Sequence, residues 1–168
     1  DKTHMMPADC SVFEPGDAAY LTVESSTATP TAGVPFKVTL RAYEAEGNLK
    51  TDYDPTGKTY TFSGPNDALD GVATPDYPDS ATVIAAFSGG VTTPLPVTLY
   101  RAESVSIDIS DGSVNSEGDI SYDADVTVGV AGVDADDTLI SANPLNVVAD
   151  GVAESTITVT ARDTYWNV

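Results

Sequence analysis

Gly151-Val-Ala-Glu-Ser-Thr-Ile-Thr-Val-Thr-Ala-Arg-Asp-Thr-Tyr-Trp-Asn167 is the stretch that decides the fold. Its apolar residues Ile157, Val159 and Ala161 alternate with Thr156, Thr158 and Thr160, the period of two expected of a strand with one buried face. The same design stands earlier as Gly33-Val-Pro-Phe-Lys-Val-Thr-Leu-Arg-Ala-Tyr-Glu-Ala-Glu-Gly-Asn48. There Phe36, Val38, Leu40 and Ala42 point one way, and Lys37, Thr39, Arg41 and Tyr43 the other. Each strand leads into an acid with an Asn four places on, Glu44 with Asn48 and Asp163 with Asn167, and the two motifs lie 119 residues apart. The chain therefore begins to repeat itself after about one domain length.

Outward from these strands, the pattern predicts about seven short strands between residues 17 and 131. They are Ala19–Val23, Phe36–Tyr43, Lys58–Ser63, Ala81–Phe87, Val97–Tyr100, Ser104–Ser110 and Asp125–Val130, with Val126, Val128 and Val130 of the last facing inward. Turn residues separate them, and the small, Pro-broken stretch Ser25–Pro35 suits a strand that switches edge or a loop. Strands of this number and length predict an all-β, antiparallel β-sandwich with Greek-key connections; a closed barrel is the alternative that periodicity leaves open. Residues 132–142 read as an acidic linker, and 143–168 as the opening strands of a second, truncated repeat. Residues 1–16 read as a tag remnant, Asp-Lys-Thr-His-Met, followed by a flexible leader.

Charge narrows the partners. The chain has 26 acids against 7 bases, a net charge of −19, which repels nucleic acid and anionic membrane surfaces. No apolar run approaches membrane-spanning length, so no membrane insertion is expected. Cys10 is the only cysteine, which excludes a disulfide within the chain.

Catalysis has little to work with. The only histidine is His4, in the tag remnant, and no Gly-rich phosphate loop, Cys pair or Gly-x-Ser-x-Gly is present. Acid pairs such as Asp52 with Asp54 need a cleft before they can do acid–base work. The expectation is a chain that is not an enzyme.

Loop oxygens suit calcium, and the densest cluster of acids is Asp134, Asp136 and Asp137; Asp119, Asp123 and Asp125 form a weaker one. The competing reading is that these acids only solvate the linker. Tyr53 and Tyr77, in predicted loops, are candidates for stacking on a glycan, against the alternative that they plug a sheet edge.

The segment from Pro144 to Asn167 resembles the opening of bacterial immunoglobulin-like repeats of the invasin and intimin type. Those repeats commonly begin with an Ala-Asp-Gly turn, here Ala149-Asp150-Gly151, followed by a Thr-rich strand and then Asp-x-x-Gly-Asn. Trp166 stands at the Gly position of that last motif, where a side chain works against a tight turn. The first repeat keeps Glu44-Ala-Glu-Gly-Asn48 and has Thr31-Ala-Gly33 in place of Ala-Asp-Gly.

The resemblance implies an immunoglobulin-like sandwich, a bacterial cell-surface or extracellular setting, and no catalytic residues. It implies a structural or adhesive module, a spacer or stalk presenting a binding region, with neighbouring repeats and a host or cell-surface protein or glycan as partners. A second reading stays open: a carbohydrate-binding or accessory domain of a secreted multidomain enzyme. The strand Thr156–Ala161 is expected to cover its apolar face by adding to a sheet edge, on a neighbouring molecule in preference to its own first domain, so that the chain self-associates.

Overall fold

In the computed structural model the described residues are 16–168, so His4, Cys10 and the leader up to Pro15 lie outside them. Alternation builds the first sheet. Strands β1 (Ala18–Ser25) and β2 (Phe36–Glu44) pair antiparallel, with Leu21 opposite Ala42 and Val23 opposite Leu40. Leu21, Val38, Leu40 and Ala42 are wholly buried, while Lys37, between Phe36 and Val38, faces solvent. After β3 (Thr61–Ser63) and one helix, the sheet is completed by β4 (Phe87–Ser88), β5 (Val91–Thr92) and β6 (Leu95–Val97). Both β5 and β6 pair with β2, at Arg41 and over Phe36–Val38 respectively.

The second sheet has the order β3, β7 (Ser104–Ser110), β8 (Ala124–Thr127), all antiparallel. Its Ile107, Ile109, Ala124 and Val126 meet the inner face of the first sheet in one core. Each large side chain buried there contributes about 1.5–3 kcal/mol. Two separate sheets over a shared core make an immunoglobulin-like sandwich and not a closed barrel.

The stretch after β1 does switch edge. After Ser26 the chain leaves β2 and runs alongside the end of β8, with the Thr127 amide donating to the Ala28 carbonyl, the Gly129 amide to the Pro30 carbonyl and the Ala32 amide to the Gly129 carbonyl.

Four local expectations need correction. Residues expected as a strand over 81–87 form the helix α1 (Ser80–Ala86). Asp79 caps it, its side chain accepting from the Thr82 amide at 2.7 Å, and the cap outweighs the weak alternation of a run that buries only Val83. The strand expected over Val97–Tyr100 lies instead at Leu95–Val97, because β6 is an edge strand that tolerates Pro96 on its exposed side. Val130 is 48% exposed and not inward, since the chain departs from the sheet after Gly129.

The fourth correction concerns the linker. Residues 132–142 are almost entirely strand: β9 (Val133–Asn143) pairs antiparallel with β10 (Thr156–Asp163) as a two-stranded ribbon. The acids at its start masked the run Leu139-Ile-Ser-Ala-Asn143, which pairs with Thr156–Thr160 of β10 residue for residue. β10 thus finds its partner within the chain. No helix among the described residues is long and apolar enough to cross a membrane.

Candidate functional site at the joint between sandwich and ribbon

The ribbon repeats the first hairpin of the sandwich. Val23 faces Leu40 and Ser25 faces Val38 in β1 and β2; Ile140 faces Val159 and Ala142 faces Ile157 in β9 and β10. Leu40 and Val159 are 119 residues apart, as are Val38 and Ile157, so the repeat seen in sequence holds in register. Burial does not repeat. Val38 and Leu40 are sealed in the core, whereas Ile140, Ile157 and Val159 are 73%, 61% and 60% exposed.

Where β10 ends, a tight turn joins ribbon to sandwich. The Asp163 amide donates to the Asn167 carbonyl at 3.0 Å and the Trp166 amide to the Asp163 carbonyl at 2.9 Å. The Asp163 carboxylate collects four donors: the Tyr165 and Asn167 amides on Oδ1, the Ala131 amide and Asn167 Nδ2 on Oδ2. Asn167 reaches across to the sandwich, its Nδ2 donating to the Tyr100 carbonyl at 2.9 Å and its Oδ1 accepting from the Ala102 amide at 2.8 Å. Both side chains are 2% exposed, so these bonds are shielded from water. Burial alone would raise the Asp163 carboxyl, but the hydrogen bonds from the Asn167 side chain and three backbone amides outweigh it and hold the group below the usual carboxylate range.

Packing completes the joint. Tyr165 meets Tyr100 edge-on, ring centroids 5.0 Å apart, and lies over Gly33. Gly33 has φ +73°, and a Cβ there would overlap the Tyr165 ring, so glycine supplies both the backbone angle and the room. Trp166 adopts φ +66°, a left-handed conformation costly for a bulky residue. The turn forms despite the missing glycine because the indole is anchored: Nε1 donates to Asp137 Oδ1 at 2.9 Å and Arg162 stacks over the ring at 5.8 Å.

Two of the carboxylates that the sequence grouped as calcium candidates are held in local hydrogen bonds. Asp134 Oδ1 accepts from the Asp136 amide, and Asp137 is held by Trp166. Among the described residues no three His, Cys, Asp or Glu side chains are placed to share a metal ion. Melting curves in millimolar calcium and in chelator test the calcium expectation: a calcium-specific rise in midpoint would show these carboxylates gathering around an ion, and coincident curves would show that they only solvate the segment.

Tyr53 is not a stacking platform: it is buried, its hydroxyl donates to Asp111 Oδ2 at 2.7 Å and lies 2.9 Å from the Tyr60 hydroxyl. Tyr77 lies flat against Phe62, centroids 4.9 Å apart, with its hydroxyl buried. Burial pushes the hydroxyls of both tyrosines well above the usual value. Asp52 pairs with Lys50, and Asp54 caps a local turn through the Thr56 amide. Beside Asp123 and Asp125 of the weaker acid cluster, burial followed by the hydrogen bond and charge of Asp123 pushes Asp108 up to about 6. Sequence reasoning noticed the acid–Asn motif but missed its reach to Tyr100, Ala102 and Ala131, which nothing local encodes.

No family model matches the chain, and no curated protein matches it in sequence. Solved structures do. A search by fold finds the Escherichia coli adhesin FdeC at 17% identity, over 92% of this chain and 44% of that one, with a TM-score of 0.50. The chain has the fold of that adhesin. Invasin, a bacterial integrin-binding protein, matches at 19% identity over 88% of this chain and 26% of its own, TM-score 0.39. InvD of Yersinia pseudotuberculosis matches at 20% identity over 88% and 38%, TM-score 0.43. At such identities the likeness to FdeC is one of fold, and the chain spans less than half the length of each of these structures. The immunoglobulin-like, all-β fold expected from the sequence is the fold found.

Proposed function

We propose that this chain is a non-catalytic spacer segment of a bacterial surface or secreted protein, in which one immunoglobulin-like module is held at a fixed angle to the start of the next. The observation that carries this reading is the joint. A flexible linker would leave Asp163 and Asn167 in water, yet both are buried and hydrogen-bonded to the sandwich. Water-shielded bonds of this kind resist bending, which is what a stalk that projects a binding region requires. The fold shared with an adhesin supports the same reading. Backbone 15N relaxation tests it: ribbon and sandwich amides are expected to tumble with one correlation time, and Asn167→Ala to give the ribbon faster motion of its own. Independent tumbling in the unsubstituted chain would refute the rigid spacer.

The accessory-domain reading has less to draw on, since Tyr53 is buried and Phe62 takes one face of the half-buried Tyr77. The open face of Ile140, Ile157 and Val159 corresponds in register to the inner face of the first sandwich. We read it as the inner face of a second one. Left uncovered, such a face drives association. Sedimentation velocity on the chain is expected to show concentration-dependent self-association that Val159→Lys abolishes; a monomer at every concentration would show that the face stays solvated.

A further inference from the structure

The turn that makes the joint occurs twice, and among the described residues only one copy is docked. At the far end of β2 the Glu44 amide donates to the Asn48 carbonyl at 2.9 Å and the Gly47 amide to the Glu44 carbonyl at 3.0 Å. These are the bonds of the Asp163–Asn167 turn, 119 residues on. Gly47, at φ +83°, holds the left-handed position that Trp166 occupies in the second copy. Glu44 is buried like Asp163. The difference lies in the asparagine: Asn167 is 2% exposed and bridges Tyr100 and Ala102, whereas Asn48 is exposed together with Ala45, Glu46 and Gly47.

We propose that the turn Glu44–Asn48 is a docking surface for a preceding immunoglobulin-like module, with the Asn48 side chain bridging a backbone carbonyl and amide of that module as Asn167 bridges Tyr100 and Ala102. The chain itself supplies the occupied form of the surface, so the partner's chemistry is known: a strand-connecting segment that offers one free C=O and one free N–H to a planar amide. The contact is more polar than the joint at 163–167, because Glu46 stands where Tyr165 fills the space over Gly33. Beside the turn, Tyr20 stacks with Tyr43 and Tyr122 at 5.3 and 4.1 Å between centroids, a rigid wall for the incoming module.

This deepens the spacer reading and rests on it. The test joins a second copy of residues 17–131 ahead of residue 15 of the full chain, with only the added copy isotope-labelled in one sample and only the original in another. Amide exchange is then followed at Ala102 of each module. The Ala102 amide of the added copy is expected to exchange at least tenfold more slowly with Asn48 present than after Asn48→Ala, and Glu46→Tyr to slow it further. Asn48→Ala without the added copy is expected to leave the melting temperature unchanged. Equal exchange at the added Ala102 with and without Asn48, while the original Ala102 stays protected by Asn167, overturns this proposal alone. Rapid exchange at the original Ala102 overturns the spacer reading and this proposal with it.

Discussion

Asp111→Ala is expected to be the most damaging single substitution in the sandwich, lowering its stability by about 3–5 kcal/mol, the range for stripping one partner from a buried charged network. The carboxylate is 2% exposed and accepts from the Tyr53 hydroxyl, from the Ser113 and Val114 amides, and from Lys58 Nζ at 3.3 Å. Removing it takes the acceptor from the Ser113 and Val114 amides and from the buried Tyr53 hydroxyl, while Lys58, partly exposed, keeps Ser113 Oγ. Tyr53→Phe should cost less, about 1 kcal/mol, because Asp111 keeps its other donors. Urea denaturation measures both, as a fall in midpoint at constant slope. A loss below 1 kcal/mol for Asp111→Ala would mean the network is solvated and not structural.

The carboxyl's own titration gives the same network a pH signature. Burial raises Asp111, but the Tyr53 hydroxyl, the Val114 and Ser113 amides and Lys58 outweigh it, and the group ends below the usual value. A depressed carboxylate lends stability that is fully present above its unfolded pKa and disappears as pH falls through the folded one. Asp163 is depressed too, so the joint is expected to loosen in the same acid range, below about pH 4.

The second large effect is at that joint. Asp163→Ala removes the acceptor of the Ala131, Tyr165 and Asn167 amides and of the Asn167 side chain in one step. The expected cost is about 2–4 kcal/mol, confined to docking, since water can enter a joint more readily than a core. Exchange at the Ala102 and Ala131 amides should accelerate about a hundredfold, which corresponds to about 2.7 kcal/mol, while the sandwich melts as before. Unchanged exchange at both amides would show that the turn is held by packing of Tyr165 alone. A sandwich that melts early would show that the joint is part of its core.

These two networks mark the boundary of what the sequence made legible. Strand β7 falls at Ser104–Ser110 as its alternation predicts, and β2 within one residue, because a sandwich strand with one sealed face writes its burial pattern into every second residue. The edge switch after Ser25 was readable from two prolines and a run of small residues. The 119-residue repeat was readable as well, and with it the Asp163–Asn167 motif. Asp111 was not, since its partner Tyr53 lies 58 positions away and no periodicity links a loop acid to a loop tyrosine. For the same reason Tyr53 looked like a free ring.

Strand β9 was hidden by its own composition. Asp134, Asp136 and Asp137 made the segment read as a solvated linker, yet a two-stranded ribbon with exposed faces tolerates charges that a sandwich strand excludes. Trp166 misled in the opposite sense. Its presence at a glycine position argued against the turn, and only the hydrogen bond to Asp137 and the stacking of Arg162, both from the ribbon, show how the left-handed backbone is held.

A distance distribution between sandwich and ribbon tests the fixed joint most directly. Spin labels at Val72 and Thr158, both exposed, with Cys10→Ser to remove the native thiol, report the angle between the two units by double electron–electron resonance. A single narrow distribution that broadens on Asn167→Ala is the predicted result. A broad distribution in the chain with Asn167 intact would contradict the account.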